Sequence, residues 1–191
     1  MTAPTTLMIA LRAALLGLLS LAACTPGADQ PLLAEYGNPD YRLGGGDQIR
    51  IIIFGEDQLT GDFRVDDRGR IALPLLGSVQ AGGLTPQELD GRIGAELTKR
   101  NLLRNPSVSV EVLAYRPVFV LGEVARPGQY AYQPNMTMLT AVAVAGGFTY
   151  RSVQEYASVV RTANNRAEEG KVLPRSFIAP GDVVKVYERR F

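Results

Sequence analysis

The side chains able to do chemistry are few in kind. The chain has no histidine and no tryptophan, and its single cysteine is Cys24. Histidine is the commonest general base and metal ligand, so catalysis would rest on Asp, Glu, Lys, Tyr or Ser. One cysteine excludes an internal disulfide and a thiolate metal cluster. The carboxylates Glu123 and Asp182 could divide acid and base roles in a hydrolase only if folding brings them together. Asp57, Asp62, Asp66 and Asp67 lie close in sequence but lack the spacing of a calcium loop, and turn formation accounts for them. Gly44-Gly45-Gly46 precedes a strand, whereas a phosphate loop needs a helix start behind its glycines. Arg64, Arg68 and Arg70 cluster around one predicted hairpin, where guanidinium groups either meet carboxylates or solvate the turn. On these grounds no catalytic residue, metal site or cofactor is expected.

Cys24 closes an apolar run. Ala13 to Ala23 is eleven residues long and follows Arg12. It is too short to span a bilayer, which takes roughly 20 residues. A positive flank, a short apolar stretch and small residues at its end describe a secretory signal over residues 1–23. Translation from Met8 rather than Met1 would give a tidier signal. Leu21-Ala22-Ala23-Cys24 resembles the lipobox of bacterial lipoproteins. That resemblance implies a diacylglycerol on the Cys24 thiol, cleavage before it and acylation of the new amine. Thr25 after the cysteine implies the outer membrane. Several acyl chains, each methylene contributing about 0.8 kcal/mol, make such an anchor stable. Residues 24–40 are rich in Pro, Gly and Asn and are expected to form a tether.

The chain carries 20 basic and 19 acidic residues, and Arg12 is the only charge ahead of Cys24. The neutral remainder gives no electrostatic reason to expect nucleic acid.

Two strand-rich units are expected to position these residues. Asp47–Phe54 is a β-branched strand. Phe63–Val65 and Arg70–Leu73 are expected to form a hairpin through Asp66-Asp67-Arg68-Gly69, with Pro74 ending the return strand or marking an edge. Thr85-Pro86-Gln87-Glu88 starts a helix reaching about Arg100, with Leu89, Ile93 and Leu97 on one face. Ser107–Leu113 alternates with Val108, Val110 and Val112 on one side. After a join near 114–116 come strands at Val118–Val124 and Tyr130–Gln133. A helix at Met136–Ala145 is stopped by Gly146-Gly147. Strands at Val159–Thr162 and Val183–Tyr187 flank a polar loop over 164–170. The small residues Ala141–Ala145 suit close packing on a sheet, or else a flat contact between subunits. Asn164-Asn165-Arg166 is read as a solvated loop or a docking surface. Single helices among runs of strands predict an α+β fold, with domains at 41–114 and 115–191.

The residues also resemble a known family. Tyr41-Arg42-Leu43-Gly44-Gly45-Gly46-Asp47-Gln48-Ile49, the stretch from Phe63 to Gly77, and Asn105-Pro106-Ser107-Val108 resemble the export domain of Wza-type outer-membrane polysaccharide export lipoproteins. Val120 to Gly128, Ala145-Gly146-Gly147-Phe148 and Pro180-Gly181-Asp182-Val183-Val184 resemble an SLBB domain, a β-grasp-like module. The resemblance implies a homo-oligomeric ring, anchored to the outer membrane and facing the periplasm, that encloses a capsular or exopolysaccharide chain. It implies an inner-membrane polysaccharide co-polymerase as partner, no cofactor and no enzymatic step. Arg64, Arg68 and Arg70 would then face an acidic polymer. One SLBB repeat fits, and the sequence ends at Phe191 after a strand, so a separate outer-membrane pore is expected. The alternating face from Phe191 through Arg189 and Lys185 argues against a barrel strand, because two cations would meet lipid. A periplasmic lipoprotein binding a small ligand through its β-grasp-like domain is the alternative; an aromatic-lined concave pocket would favour it.

Overall fold

A computed structural model of the protein describes residues 26–37, 41–163 and 166–189. The fold is α+β, with two strand-rich units that each carry one helix.

In the first unit, β1 (Gln48–Ile53) lies between β2 (Gly61–Arg64) and β5 (Val108–Ala114), both antiparallel to it. Ile49, Ile51 and Ile53 alternate inward and are buried. Helix α1 (Pro86–Lys99) packs on β5 and buries Leu89, Ile93 and Leu97 completely. Each such burial contributes roughly 2 kcal/mol. The helix starts as the sequence dictates. The Thr85 hydroxyl accepts from the Glu88 N–H at 3.1 Å, and the Glu88 carboxylate accepts from the Thr85 N–H at 2.9 Å. These bonds satisfy donors that a helix start leaves orphaned.

The expected hairpin partner is corrected. The turn at Asp66–Gly69 is present, but β3 (Arg70–Leu73) pairs with β4 (Gly77–Gln80), a strand the sequence reading missed, and β2 pairs with β1. Leu75 and Gly77 take positive φ just beyond Pro74. The chain therefore reverses there rather than merely stopping.

In the second unit, a mixed five-stranded sheet runs in the order β7-β6-β10-β8-β9. The strands are β6 (Val118–Gly122), β7 (Gly128–Tyr130), β8 (Ala157–Ala163), β9 (Arg166–Val172) and β10 (Val183–Val186). β10 is parallel to β6 and antiparallel to β8. Helix α2 (Met138–Val144), capped by Thr137, buries Met138, Ala141 and Val142. Ala141 and Ala145 thus pack inward, as close helix-on-sheet contact requires. Residues 166–170, expected in a loop, belong to β9. Their polar side chains point outward, and only Gly170 and Val172 are buried on this edge strand. Ladder pairing with β8 overrides the lack of apolar alternation.

The described part of the expected tether is packed on the second unit. Leu32 bridges Lys171, and the Lys171 N–H and C=O bond to Pro31 and Leu33 at 2.8 and 2.9 Å. Leu33 joins the core of this unit. We call residues 26–36 the strap.

Candidate functional site

Two short turns organise the join between the units, and they are built alike. Gly46-Asp47 leads into β1 and Gly181-Asp182 leads into β10. Both glycines take positive φ, 97° and 89°. The Asp47 N–H donates to the Gly44 carbonyl, and the Asp182 N–H to the Ala179 carbonyl. Each carboxylate also turns back: Asp47 Oδ2 accepts from the Gly44 N–H at 2.8 Å, and Asp182 Oδ2 accepts from the Ala179 N–H at 2.7 Å. Each turn then clamps a neighbouring chain segment. Gly46 and Asp47 exchange backbone bonds with Val65, and Gly181 and Asp182 bond to Pro117 and Phe119.

Both aspartates are buried, 0% and 1% exposed. A buried carboxylate must be bonded or paired. Asp182 receives Arg161 through Nε at 3.0 Å and Nη2 at 2.7 Å. Asp47 receives the Tyr41 hydroxyl, the Arg116 N–H at 2.8 Å, and the Arg116 guanidinium charge at 3.8 Å. Arg116 lies between the units, so Asp47 ties the first unit to the connection.

Tyrosines fill the same join. Tyr41 meets Tyr115 edge-on at 4.8 Å, and Tyr115 meets Tyr132 at 5.6 Å. Arg116 stands over Tyr41, and Arg161 over Tyr36 of the strap at 5.3 Å. Burial raises the Tyr41 phenol pKa, helped by the bond to Asp47. Burial also pushes Tyr132 up to about 12 and raises Tyr36. Tyr36, Tyr41 and Tyr132 therefore stay neutral at physiological pH, and the rings together act as an aromatic clasp. Sequence reasoning missed it, although the twin Gly-Asp pairs ahead of alternating strands were the signal.

The sequence-predicted residues fall elsewhere. Arg64, Arg68 and Arg70 are exposed around the Asp66 turn. Asp66 Oδ1 accepts the Arg68 and Arg70 N–H groups at 2.9 and 2.7 Å, which holds the loop firmly. None of the three arginines makes an ion pair among the described residues. Asp62 pairs instead with Arg50 at 2.7 Å, and this bond lowers its pKa. Glu123 and Asp182 are not brought together. Asp182 opens β10, whereas the Glu123 N–H bonds to the carbonyl of Val186 at its other end. Four residues of parallel ladder separate them, about 13 Å. Glu123 accepts from the Thr149 hydroxyl at 2.6 Å. Among the described residues no group of three or more acidic, Cys or His side chains could hold a metal. A groove of about 780 Å³ lies between α1 and the start of β5, lined by Gly91, Gly94, Ala95, Pro106 and their neighbours and by no aromatic side chain. Leu21, Ala22, Ala23, Cys24, the signal at 1–23, Asn164-Asn165 and Phe191 lie outside the described residues. No described helix is long and apolar enough to cross a membrane.

Fold and junction together define a two-module scaffold, in which an antiparallel unit is clasped to a mixed-sheet unit. Residues 35–113 match the family of polysaccharide biosynthesis/export proteins, and residues 117–174 match the SLBB domain. The chain therefore carries a polysaccharide export domain followed by one SLBB domain. It is 35% identical to the exopolysaccharide production protein ExoF of Rhizobium meliloti (strain 1021), across 78% of this chain and 35% of ExoF. It is 32% identical to the polysialic acid transport protein KpsD of Escherichia coli, across 58% of this chain and 20% of KpsD. It is 30% identical to the EPS I polysaccharide export outer membrane protein EpsA of Ralstonia nicotianae, across 61% of this chain and 36% of EpsA. The chain thus spans about a third or less of the length of these curated relatives.

Proposed function

We propose that this protein is a lipid-anchored periplasmic component of a capsular or exopolysaccharide export complex at the outer membrane. Copies close into a ring by head-to-tail contacts and guide the polymer outward. The role is passive and uses no reaction or cofactor. The observation that carries the reading is the export domain followed by an SLBB domain in this chain, together with its similarity to proteins named for polysaccharide production, transport and export. Partners are the polysaccharide, an inner-membrane co-polymerase and a separate outer-membrane pore. Cys24, within the lipobox Leu21-Ala22-Ala23-Cys24, carries the lipid. We take residues 41–114 as the export domain and 115–191 as the SLBB domain; the two separate hydrophobic clusters support that division.

Arg64, Arg68 and Arg70 are assigned to the polymer. The firmly bonded turn presents them, and none of the three is ion-paired among the described residues. Deleting the gene is expected to build up polysaccharide in the periplasm while synthesis continues. Normal surface polymer in the deletion strain would remove the export role. Replacing Arg68 and Arg70 together by Ala is expected to reduce surface polymer at unchanged protein level; full export would remove the arginine assignment. Light scattering of the lipidated protein is expected to show a closed multimer, and a monomer at high concentration counts against the ring.

A further inference from the structure

The strap determines which surface of the molecule can lie next to the anchor. β10 begins at the clasp with Asp182 and ends at Val186, so Tyr187 lies at the far end of the second sheet, about 17 Å from the clasp. Tyr156 precedes β8, which runs antiparallel to β10, and reaches the same end; its ring is 6.4 Å from that of Tyr187. The strap starts there. The Tyr156 hydroxyl donates to the Pro26 carbonyl at 3.0 Å. Gly27 lies so close to the Tyr187 ring that a Cβ would come within 2.4 Å of it. The Lys171 ammonium donates to the Ala28 carbonyl at 2.6 Å while standing over the Tyr156 ring. The strap ends at the clasp, where Arg161 holds the Ala34 carbonyl and faces Tyr36.

Cys24 is two residues ahead of Pro26. A fully extended chain covers at most about 3.6 Å per residue, so the two are within about 7 Å. That leash is shorter than the second unit. The segment from Tyr150 to Val153 lies along Tyr187–Arg189 at this end, through the Val153–Tyr187 and Arg189–Arg151 backbone bonds. Tyr150 is 84% exposed there. Charges on this end are mixed. Lys171, Lys185, Arg151 and Arg189 share it with Asp29, Glu155, Glu169 and Glu188; Arg151 pairs with Glu188, and Lys185 acts on Glu169. Attraction to anionic lipid is therefore not its driving force. Tyr150, with its apolar ring and polar tip both exposed, suits the headgroup layer, while the Lys171 and Lys185 ammonium groups stand over the Tyr156 and Tyr187 rings beside it.

We propose that the end of the second unit bearing Tyr150, Tyr156 and Tyr187 rests on the phospholipid headgroups of the membrane that the Cys24 lipid enters. The first unit then projects away from the bilayer. The inference rests on lipidation of Cys24, which mass spectrometry of the native full-length protein reads separately.

With Cys24 acylated, a cysteine introduced by Tyr150→Cys is the only free thiol, and Phe54→Cys is the comparison. Phe54 is 85% exposed at the far end of β1 in the first unit. Each variant carries a fluorophore and is reconstituted in phosphatidylethanolamine–phosphatidylglycerol vesicles containing a headgroup spin-label quencher. Quenching at position 150 is expected to exceed that at position 54 several-fold. It should fall when Tyr156→Phe releases Pro26. An acylated Cys24 with equal quenching at both positions overturns the face assignment while leaving the anchor standing. A bare Cys24 overturns both.

Discussion

Replacing Asp47 by Ala should cost far more than an ordinary substitution of a polar residue. Asp47 accepts three hydrogen bonds, from the Gly44 N–H, the Arg116 N–H and the Tyr41 hydroxyl. Alanine leaves all three donors without their acceptor. A buried donor left unsatisfied costs about 1–3 kcal/mol. Tyr41 is only partly buried, so its hydroxyl recovers some bonding to water, and the lower half of the range applies. The sum is about 4 kcal/mol, a large part of the ~5–15 kcal/mol that holds a typical domain folded. For a chain of this length each kcal/mol moves Tm by about 2–4 °C, so the expected drop is about 8–16 °C. Asp47→Asn keeps one carbonyl acceptor and should fall between wild type and Asp47→Ala. Differential scanning calorimetry of the three proteins at neutral pH reads the series. A drop of less than about 3 °C for Asp47→Ala would refute the assignment of the clasp to Asp47.

Thr85→Ala removes one half of the capping box and should destabilise by about 1 kcal/mol in urea unfolding, with an unchanged m-value. Gly170→Val places methyl groups where Leu33 and Pro31 already lie 3.0 Å from a would-be Cβ. It should expel the strap and speed hydrogen exchange at the Leu33 amide; unchanged protection would contradict the packing. Burial raises the Asp90 pKa, and its Oδ1 has no partner, although the Val110 N–H bond opposes the shift. A raised folded pKa helps stability below the unfolded pKa and is lost as pH rises, so ionised Asp90 is a liability at neutral pH. Asp90→Asn should raise Tm at neutral pH, with the gain fading below about pH 4. Tyr41 also holds its proton more tightly when folded, so its contribution is intact below the ordinary phenol pKa of about 10 and drains away above it. Thermal melts across that range should show a shallower alkaline loss for Tyr41→Phe.

What could be read from sequence was local. Thr85 to Glu88 spelled out a helix start because its partners are three residues apart. β1 and β5 were legible because their β-branched runs alternate. Partner choice was not legible. Nothing in Arg70–Leu73 says that it pairs with β4 rather than β2, because the deciding reversal depends on positive φ at Leu75 and Gly77. β9 was missed because its polar sequence is stabilised by β8 and the strap, not by its own pattern. The clasp joins Asp47 to Arg116, 69 positions apart, and only folding brings them together. The arginines around Asp66 were placed on the right turn, but no spacing rule predicts how firmly Asp66 holds it.

The strap also fixes an order of events during folding. Ala28 and Lys171 are 143 positions apart, so the strap waits for nearly the whole remaining polypeptide before its seat exists. Closing so long a loop adds little entropy per extra residue, but contacts this remote form late. Until then the outer rim of β9 has bare backbone amides and carbonyls, the kind of border that recruits stray strands. A recombinant version starting at Tyr41 would keep that rim permanently open, and its failure mode would be clumping through β9 rather than loss of either hydrophobic core.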